Sequence, residues 1–213
     1  YFAAVEGTNG YELWKYDGVN APSMVANIDP GSGGSYPSDL TVFNNALYFK
    51  ADDGTNGDEL WKYDGTNAPS MVADIRAGSG SSSPDDLTVF NNELYFGAVD
   101  GTNGYELWKY DGTNAPSMVA DIFPGSGSSS PDDLTVFNYE LYFAADDGTN
   151  GDELWKYDGV NAPSMVADIN SGSGDSYPDV LTVFNNELYF EANDGTNGKE
   201  LWKYSQQTTL IYS

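Results

Sequence analysis

Cysteine and histidine are both missing from this chain of 213 residues. Without them there is no thiol chemistry, no Cys/His zinc site, no Ser-His-Asp arrangement and no usual general base at neutral pH. Most enzyme classes lose their chemical means, and no catalytic residue is assigned. Cationic side chains are nearly as scarce: seven Lys and one Arg face 33 acidic residues, for a net charge of −25. Nucleic acid, which is held largely through Lys and Arg on phosphates, is therefore not an expected partner, and an anionic membrane surface repels the chain. No run of about 18 apolar residues occurs, so insertion into a membrane is not expected either. The chain opens on Tyr1-Phe2-Ala3-Ala4, without the charged start of a signal peptide. Its acidity, its Gly/Ser/Asn/Asp/Thr-rich loops and its few Lys lead us to expect a bacterial protein, extracellular or at the cell surface.

What is present is enough to fold. Hydrophobic residues make up 39 % of the chain and aromatic residues 15 %, more than a solvated acidic tail carries. The apolar residues are also periodic. Glu-Leu-Trp-Lys-Tyr starts at Glu12, Glu59, Glu106, Glu153 and Glu200, each 47 residues after the last. Leu-Thr-Val-Phe and Pro-Ser-Met-Val-Ala keep the same step. The chain thus reads as one repeat domain, 1–213, with units 1–47, 48–94, 95–141 and 142–188 and a partial unit 189–213. Tyr11, Asp58, Tyr105, Asp152 and Lys199 precede the repeated Glu, so units one and three match, as do two and four. Duplication of a pair of units, with the last diverging as a terminal cap, accounts for this.

Within a unit the pattern is all strand. Leu87–Asn91 (strand a) and Leu94–Ala98 (strand b) flank an Asn-Asn turn suited to positive φ. Strand c, Glu106–Asp111, follows Asp100-Gly-Thr-Asn-Gly104, and strand d, Ser117–Ile122, follows Gly112-Thr-Asn-Ala-Pro116. The Gly/Ser/Pro-rich stretch from Phe123 to Asp133 leads to the next strand a. Apolar residues on both faces require each sheet to be covered on both sides. Radial repetition of four-stranded sheets is the expected answer: an all-β β-propeller, with five blades and strand a nearest the axis. An open β-solenoid is the alternative. Residues Thr208–Tyr212 are expected to supply the last strand d, whereas only four a strands can be counted.

Glu-Leu-Trp-Lys-Tyr-Asp-Gly-Thr, at Glu59–Thr66 and Glu106–Thr113, resembles the bacterial ELWxxDGT repeat family over essentially the whole chain. Val19 and Val160 replace the Thr, and the last copy departs after Tyr204. The resemblance implies a repetitive, surface-exposed or secreted protein. The period is also similar to that of the tachylectin-type five-bladed lectin propellers, although their motif is not present; this likeness is one of architecture alone.

Two sets of residues are candidates for binding. In the b–c loops, paired carboxylates bracket a Gly-Thr-Asn-Gly turn: Glu6 with Glu12, Asp53 with Glu59, Asp100 with Glu106, Asp147 with Glu153 and Asp194 with Glu200. Hard oxygens beside freely oriented carbonyls suit Ca²⁺, so calcium is the candidate cofactor. Alternatively the Asp closes an Asx turn, Asn56 and Gly57 supply positive φ, and Glu59 faces solvent or caps a backbone N–H. The second set lies in and beside the d-to-a connections, which should emerge on the same face as the b–c loops. Here Tyr11, Tyr36, Arg76, Tyr105, Phe123 and Tyr177 are candidate ligand contacts, suited to neutral glycans because sugar hydroxyls meet carboxylates and amides while an aromatic lies beneath. Solvated linkers of no affinity are the alternative. The five Trp read as core between blades rather than as a sugar platform. The expected function is a non-enzymatic multivalent module, lectin-like or adhesive, whose partner is a glycan or other cell-surface ligand. A self-assembling matrix or filament subunit, whose partner is another copy of itself, is the alternative.

Overall fold

Turn chemistry divides each repeat into segments of four to seven residues, and β-branched and aromatic residues make these segments strands. The computed structural model describes residues 1–205, and among them it is all-β, with five antiparallel sheets and no helix. The first sheet has β1 (Phe2–Glu6), β2 (Gly10–Lys15) and β3 (Ser23–Ala26). The second has β4 (Ser38–Phe43), β5 (Ala46–Asp52), β6 (Asp58–Tyr63) and β7 (Ser70–Ala73). The third has β8 (Asp85–Phe90), β9 (Glu93–Val99), β10 (Tyr105–Tyr110) and β11 (Ser117–Ala120). The fourth has β12 (Asp132–Phe137), β13 (Glu140–Asp146), β14 (Asp152–Tyr157) and β15 (Ser164–Ala167), and the fifth has β16 (Asp179–Phe184), β17 (Glu187–Asn193) and β18 (Lys199–Tyr204). Every strand pairs with its chain neighbour. The strand expected at Thr208–Tyr212 lies outside the described residues.

The chain divides into two parts, Tyr1–Ser130 with the first three sheets and Pro131–Ser213 with the fourth and fifth. In the first part, Leu13 and Ile28 of the first sheet pack with Phe49, Ala51 and Trp61 of the second. Phe43, Tyr48 and Leu60 of the second then pack with Phe96, Ala98, Trp108 and Tyr110 of the third. In the second part, Phe137, Tyr142 and Leu154 meet Leu181, Leu188 and Phe190, with Trp202 against them. Trp61, Trp108 and Trp202 are thus core between sheets, as their place in strand c leads one to expect. Adjacent a strands also meet: Thr41 Oγ1 donates to Leu87 O at 2.9 Å, and Thr135 Oγ1 to Leu181 O at 3.2 Å. Burial, together with neighbouring Tyr110, pushes the Tyr48 phenol up to about 12.

The strand limits shift by one residue in strands b and c and by up to two in strands a and d. Strand a begins earlier, at Asp85, and ends at Phe90, leaving Asn91 and Asn92 as the turn with φ of 47° and 61°. Strand d ends at Ala120, because the Ile122 N–H leaves the ladder for the Glu106 carboxylate. Each a strand also carries a bulge that the sequence did not suggest. Between Asp85 and Thr88 the register shifts, and Asp86 sits there at φ 57°.

The equivalents of Asp86 are Asp39 and Asp133 at φ 55°, and Val180 at φ 57°. Asp tolerates this left-handed conformation, whereas the branched Val side chain clashes with its own backbone there. Val180→Asn keeps the N–H that bonds Asp133 and Asp179 and should raise the unfolding free energy by about 1 kcal/mol. Urea denaturation measures the difference.

Candidate functional site

The repeated Glu of strand c is the anchor of the loop face. Glu12, Glu59, Glu106 and Glu153 are all fully buried. A buried carboxylate must be met by donors, and each of these is. Glu59 Oε2 accepts from Ile75 N at 2.9 Å and Ser82 Oγ at 2.6 Å, while Oε1 accepts from Arg76 N and Ser82 N. Glu106 takes the same donors from Ile122 and Ser129, Glu153 from Ile169, Asn170 and Ser176, and Glu12 from Ile28 and Ser35. Burial pushes the carboxyls of Glu59, Glu106 and Glu153 above their ordinary value in spite of these hydrogen bonds. The Glu therefore ties strand c to the d-to-a connection of its own sheet. Backbone bonds complete the tie, with Ser83 N donating to Asp58 O and Ser130 N to Tyr105 O. Glu200 is exposed.

The Asp of each b–c loop sits in different surroundings from its Glu. Asp53 Oδ1 accepts from the backbone of Thr55 and Asn56, and Oδ2 accepts from Asn56 Nδ2. Asp100, Asp147 and Asp194 repeat this turn. Partial burial opposes the charge of Asp53, Asp100 and Asp147, yet the hydrogen bonds outweigh it and hold these carboxyls below their usual value. Glu6, one methylene longer, accepts from Asn9 Nδ2 instead. Positive φ falls on Gly54 and Gly57 rather than on Asn56. The c–d turns carry the same Asp-Gly-x-Asn device: Asp64 Oδ1 accepts from Thr66 N and Asn67 N. Among the described residues no three acidic side chains are grouped so that they could hold a metal ion. In the first four units the carboxylates proposed for calcium are thus paired by sequence but divided by structure, the acid at the loop's start bonded within its turn and the Glu bonded inside, whereas exposed Glu200 lines a cavity with Asp194.

The candidate ligand contacts lie together more closely. Tyr11 and Tyr105 are not in loops; Tyr11 is the second residue of β2 and Tyr105 opens β10. Tyr11 stacks on Tyr36, with ring centroids 5.6 Å apart and planes 25° apart. The equivalent Tyr105 instead lies over Gly97, and its hydroxyl donates to Ser83 O. Tyr177 Oη donates to Asp175 Oδ2 at 2.7 Å. Arg76 Nη1 donates to Ser81 O, and the Phe123 ring lies on Gly127.

One residue missed in sequence stands out electrostatically. Asp152 is pushed up to about 7, first by burial and then by Asp175, Asp146, Glu153 and Asp132, and its Oδ1 is buried without a partner among the described residues. The signal was available: Asp175 replaces the Ser81 and Ser128 of the neighbouring units.

No protein-family model and no curated protein sequence matches the chain. Among solved structures, a chain from a structural and mechanistic analysis of two prolyl endopeptidases is similar, with a TM-score of 0.49 and 11 % sequence identity. The match covers 91 % of this chain and 33 % of that one, so this chain spans about a third of its neighbour's length. A likeness at that distance does not bear on function.

Two outcomes follow from the carboxylates. Glu106→Gln places an amide nitrogen against N–H and O–H donors and should cost about 1–3 kcal/mol in chemical denaturation. The Asp152 carboxyl, pushed up to about 7 in the fold, lies above the 3.8 of a free aspartate, so its contribution to stability is complete below that lower value, declines as pH rises between the two, and is gone above the upper one. Asp152→Asn should therefore melt a few degrees above the parent at pH 8, with the gain shrinking towards pH 4, in parallel thermal scans of both proteins.

Proposed function

We propose that the chain is a non-enzymatic, multivalent binding module displayed outside the cell, with neutral glycans as its ligand class and a closed five-bladed propeller as its architecture. One observation carries the reading: the same buried Glu frame recurs from sheet to sheet, while the exposed side chains it presents differ. A rigid, repeated frame with changed side chains is an economical way to place several weak sites on one face, and weak sites gain avidity where geometry lets them engage together. Near-equivalent loops repeat rather than converge on one constellation, so catalysis has no part in the reading. Calcium has no part in it at the first four loops, whose carboxylates are already engaged with donors of the chain. The resemblance to the ELWxxDGT repeats supports a surface location.

A second reading, a self-assembling subunit, is favoured by the fifth sheet. Leu201 is 74 % exposed and Phe184 61 %, whereas the equivalents Leu60 and Phe43 are at 0 % and 3 %. These are the side chains that elsewhere meet the following sheet, and a second copy could cover them.

A glycan array probed with the protein in EDTA and again in millimolar calcium should give the same neutral-glycan signals in both. No signal on any carbohydrate would overturn the glycan reading, and signal only with calcium would return the acidic loops to the site. Sedimentation velocity over a range of concentrations should show a monomer throughout; concentration-dependent growth would favour the assembly reading.

A further inference from the structure

The units differ most beside the buried Glu. Asp29, Arg76, Phe123 and Asn170 occupy the one repeat position at which all four copies carry different residues. The backbone N–H of Arg76 and Asn170 is fixed by the Glu carboxylate, and the side chain enters a slot whose walls have no side chain of their own. A Cβ on Gly33 or Gly54 would meet the Asp29 carboxylate at 1.8 and 2.5 Å, and one on Gly174 or Gly195 would meet Asn170 at 2.7 and 2.4 Å. Three of the four side chains are settled within the slot. Arg76 donates to Ser81 O, Asn170 donates to Asp175 O at 2.9 Å, and Phe123 lies on Gly127. The Asp29 carboxylate is half-buried and has no hydrogen-bond or ion-pair partner among the described residues.

The same unit also has the stacked pair. In the third sheet Tyr105 lies down over Gly97, where an added Cβ would come within 2.4 Å of its ring. Ala3 stands at that position in the first sheet, so its methyl bars Tyr11 from the same pose, and Tyr11 stands against Tyr36. Both rings remain open, Tyr11 46 % and Tyr36 62 % exposed. They meet at Gly34, whose added Cβ would lie 2.8 Å from Tyr11 N and 3.1 Å from the Tyr36 ring; Gly34 directly follows the Gly33 that touches Asp29. Open aromatic faces and an unsatisfied carboxylate thus adjoin one dipeptide.

We propose that the first sheet holds a saccharide subsite, in which the C–H face of a neutral sugar ring lies on Tyr36 and two of its hydroxyls donate to Asp29. A carboxylate accepts from hydroxyls and repels anions, so sialylated or uronic sugars are rejected. The inference rests on the glycan-binding reading above and assigns its site. The test uses the whole protein and saturation-transfer NMR with lactose, maltose, methyl α-mannoside and methyl β-galactoside, with galacturonic acid as the anionic control. At least one neutral sugar should bind and galacturonic acid should not. Tyr36→Ala should weaken binding about tenfold or more and Asp29→Asn by several fold, while Tyr36→Phe retains the platform and Tyr139→Asn, at an exposed turn outside the candidate set, stays within about twofold. Parent-like binding by both Tyr36→Ala and Asp29→Asn would overturn this subsite and leave the multivalent reading on other loops. Absence of all neutral-glycan binding by the parent, here and on the array, would overturn both.

Discussion

A carboxylate with no exposure to water is the constraint around which each repeat is arranged. Removing a charge from solvent costs several kcal/mol unless its lone pairs are filled, so a sequence that buries Glu59 must also bring donors to it. The chain does so with residues 16 to 23 positions downstream, the backbone N–H groups of Ile75 and Arg76 and both donors of Ser82. Those bonds explain why strand d stops where it does and why a connection rich in Gly and Ser is nonetheless held in place. They also explain how a chain of charge −25 tolerates four internal carboxylates among the described residues. The Asp residues of the b–c and c–d loops are managed in the same way on a smaller scale, Asp53, Asp64 and their Asp equivalents each closing an Asp-Gly-x-Asn turn.

The repeat length, the four-strand unit and the place of the Trp could be read from sequence because each follows from period and alternation. Leu-Trp-Lys-Tyr alternates, and a residue in the middle of a strand whose two faces are both apolar must meet a neighbouring sheet. The Asn91-Asn92 turn was equally legible, since Asn is among the few side chains that accept positive φ. The bulge at Asp86 was not, because Asp at a strand entry is equally compatible with a plain loop. The role of the Glu was legible only as one alternative, a cap on a backbone N–H. An acidic residue beside a polar loop looks solvent-facing, and only the positions of the Ile75 and Ser82 donors, far along the chain, show that the site is internal.

The candidate contacts were found in part through composition, as aromatic and basic residues in otherwise polar connections. Their differences needed coordinates. Tyr11 and Tyr105 are equivalent in sequence and different in structure, and the cause is a methyl group two residues from the end of the adjoining strand: Ala3 in one unit, Gly97 in the other. No local pattern around either tyrosine contains that information.

Repetition with a fixed anchor also limits where such differences can arise. The Glu, the Ser and the walls of glycine cannot change without leaving a buried charge unpaired or pushing a Cβ into backbone. Gly10 and Gly104 are extreme in this respect, since a Cβ there would fall within 2 Å of a carbonyl oxygen of the facing connection. Variation is therefore channelled to the side chain in the slot and to the residue before the Glu, both of which project from the frame without supporting it. Asp152 shows the cost when the change falls on a frame neighbour instead: with Asp175 in place of Ser81, two carboxylates share one corner and one of them is driven up to about 7. The first unit took the other course, with Tyr at the residue before the Glu and Gly34 in place of that Ser, and its altered side chains face solvent. A fold that anchors its connections on one buried residue per repeat leaves the exposed positions free to acquire different chemistry.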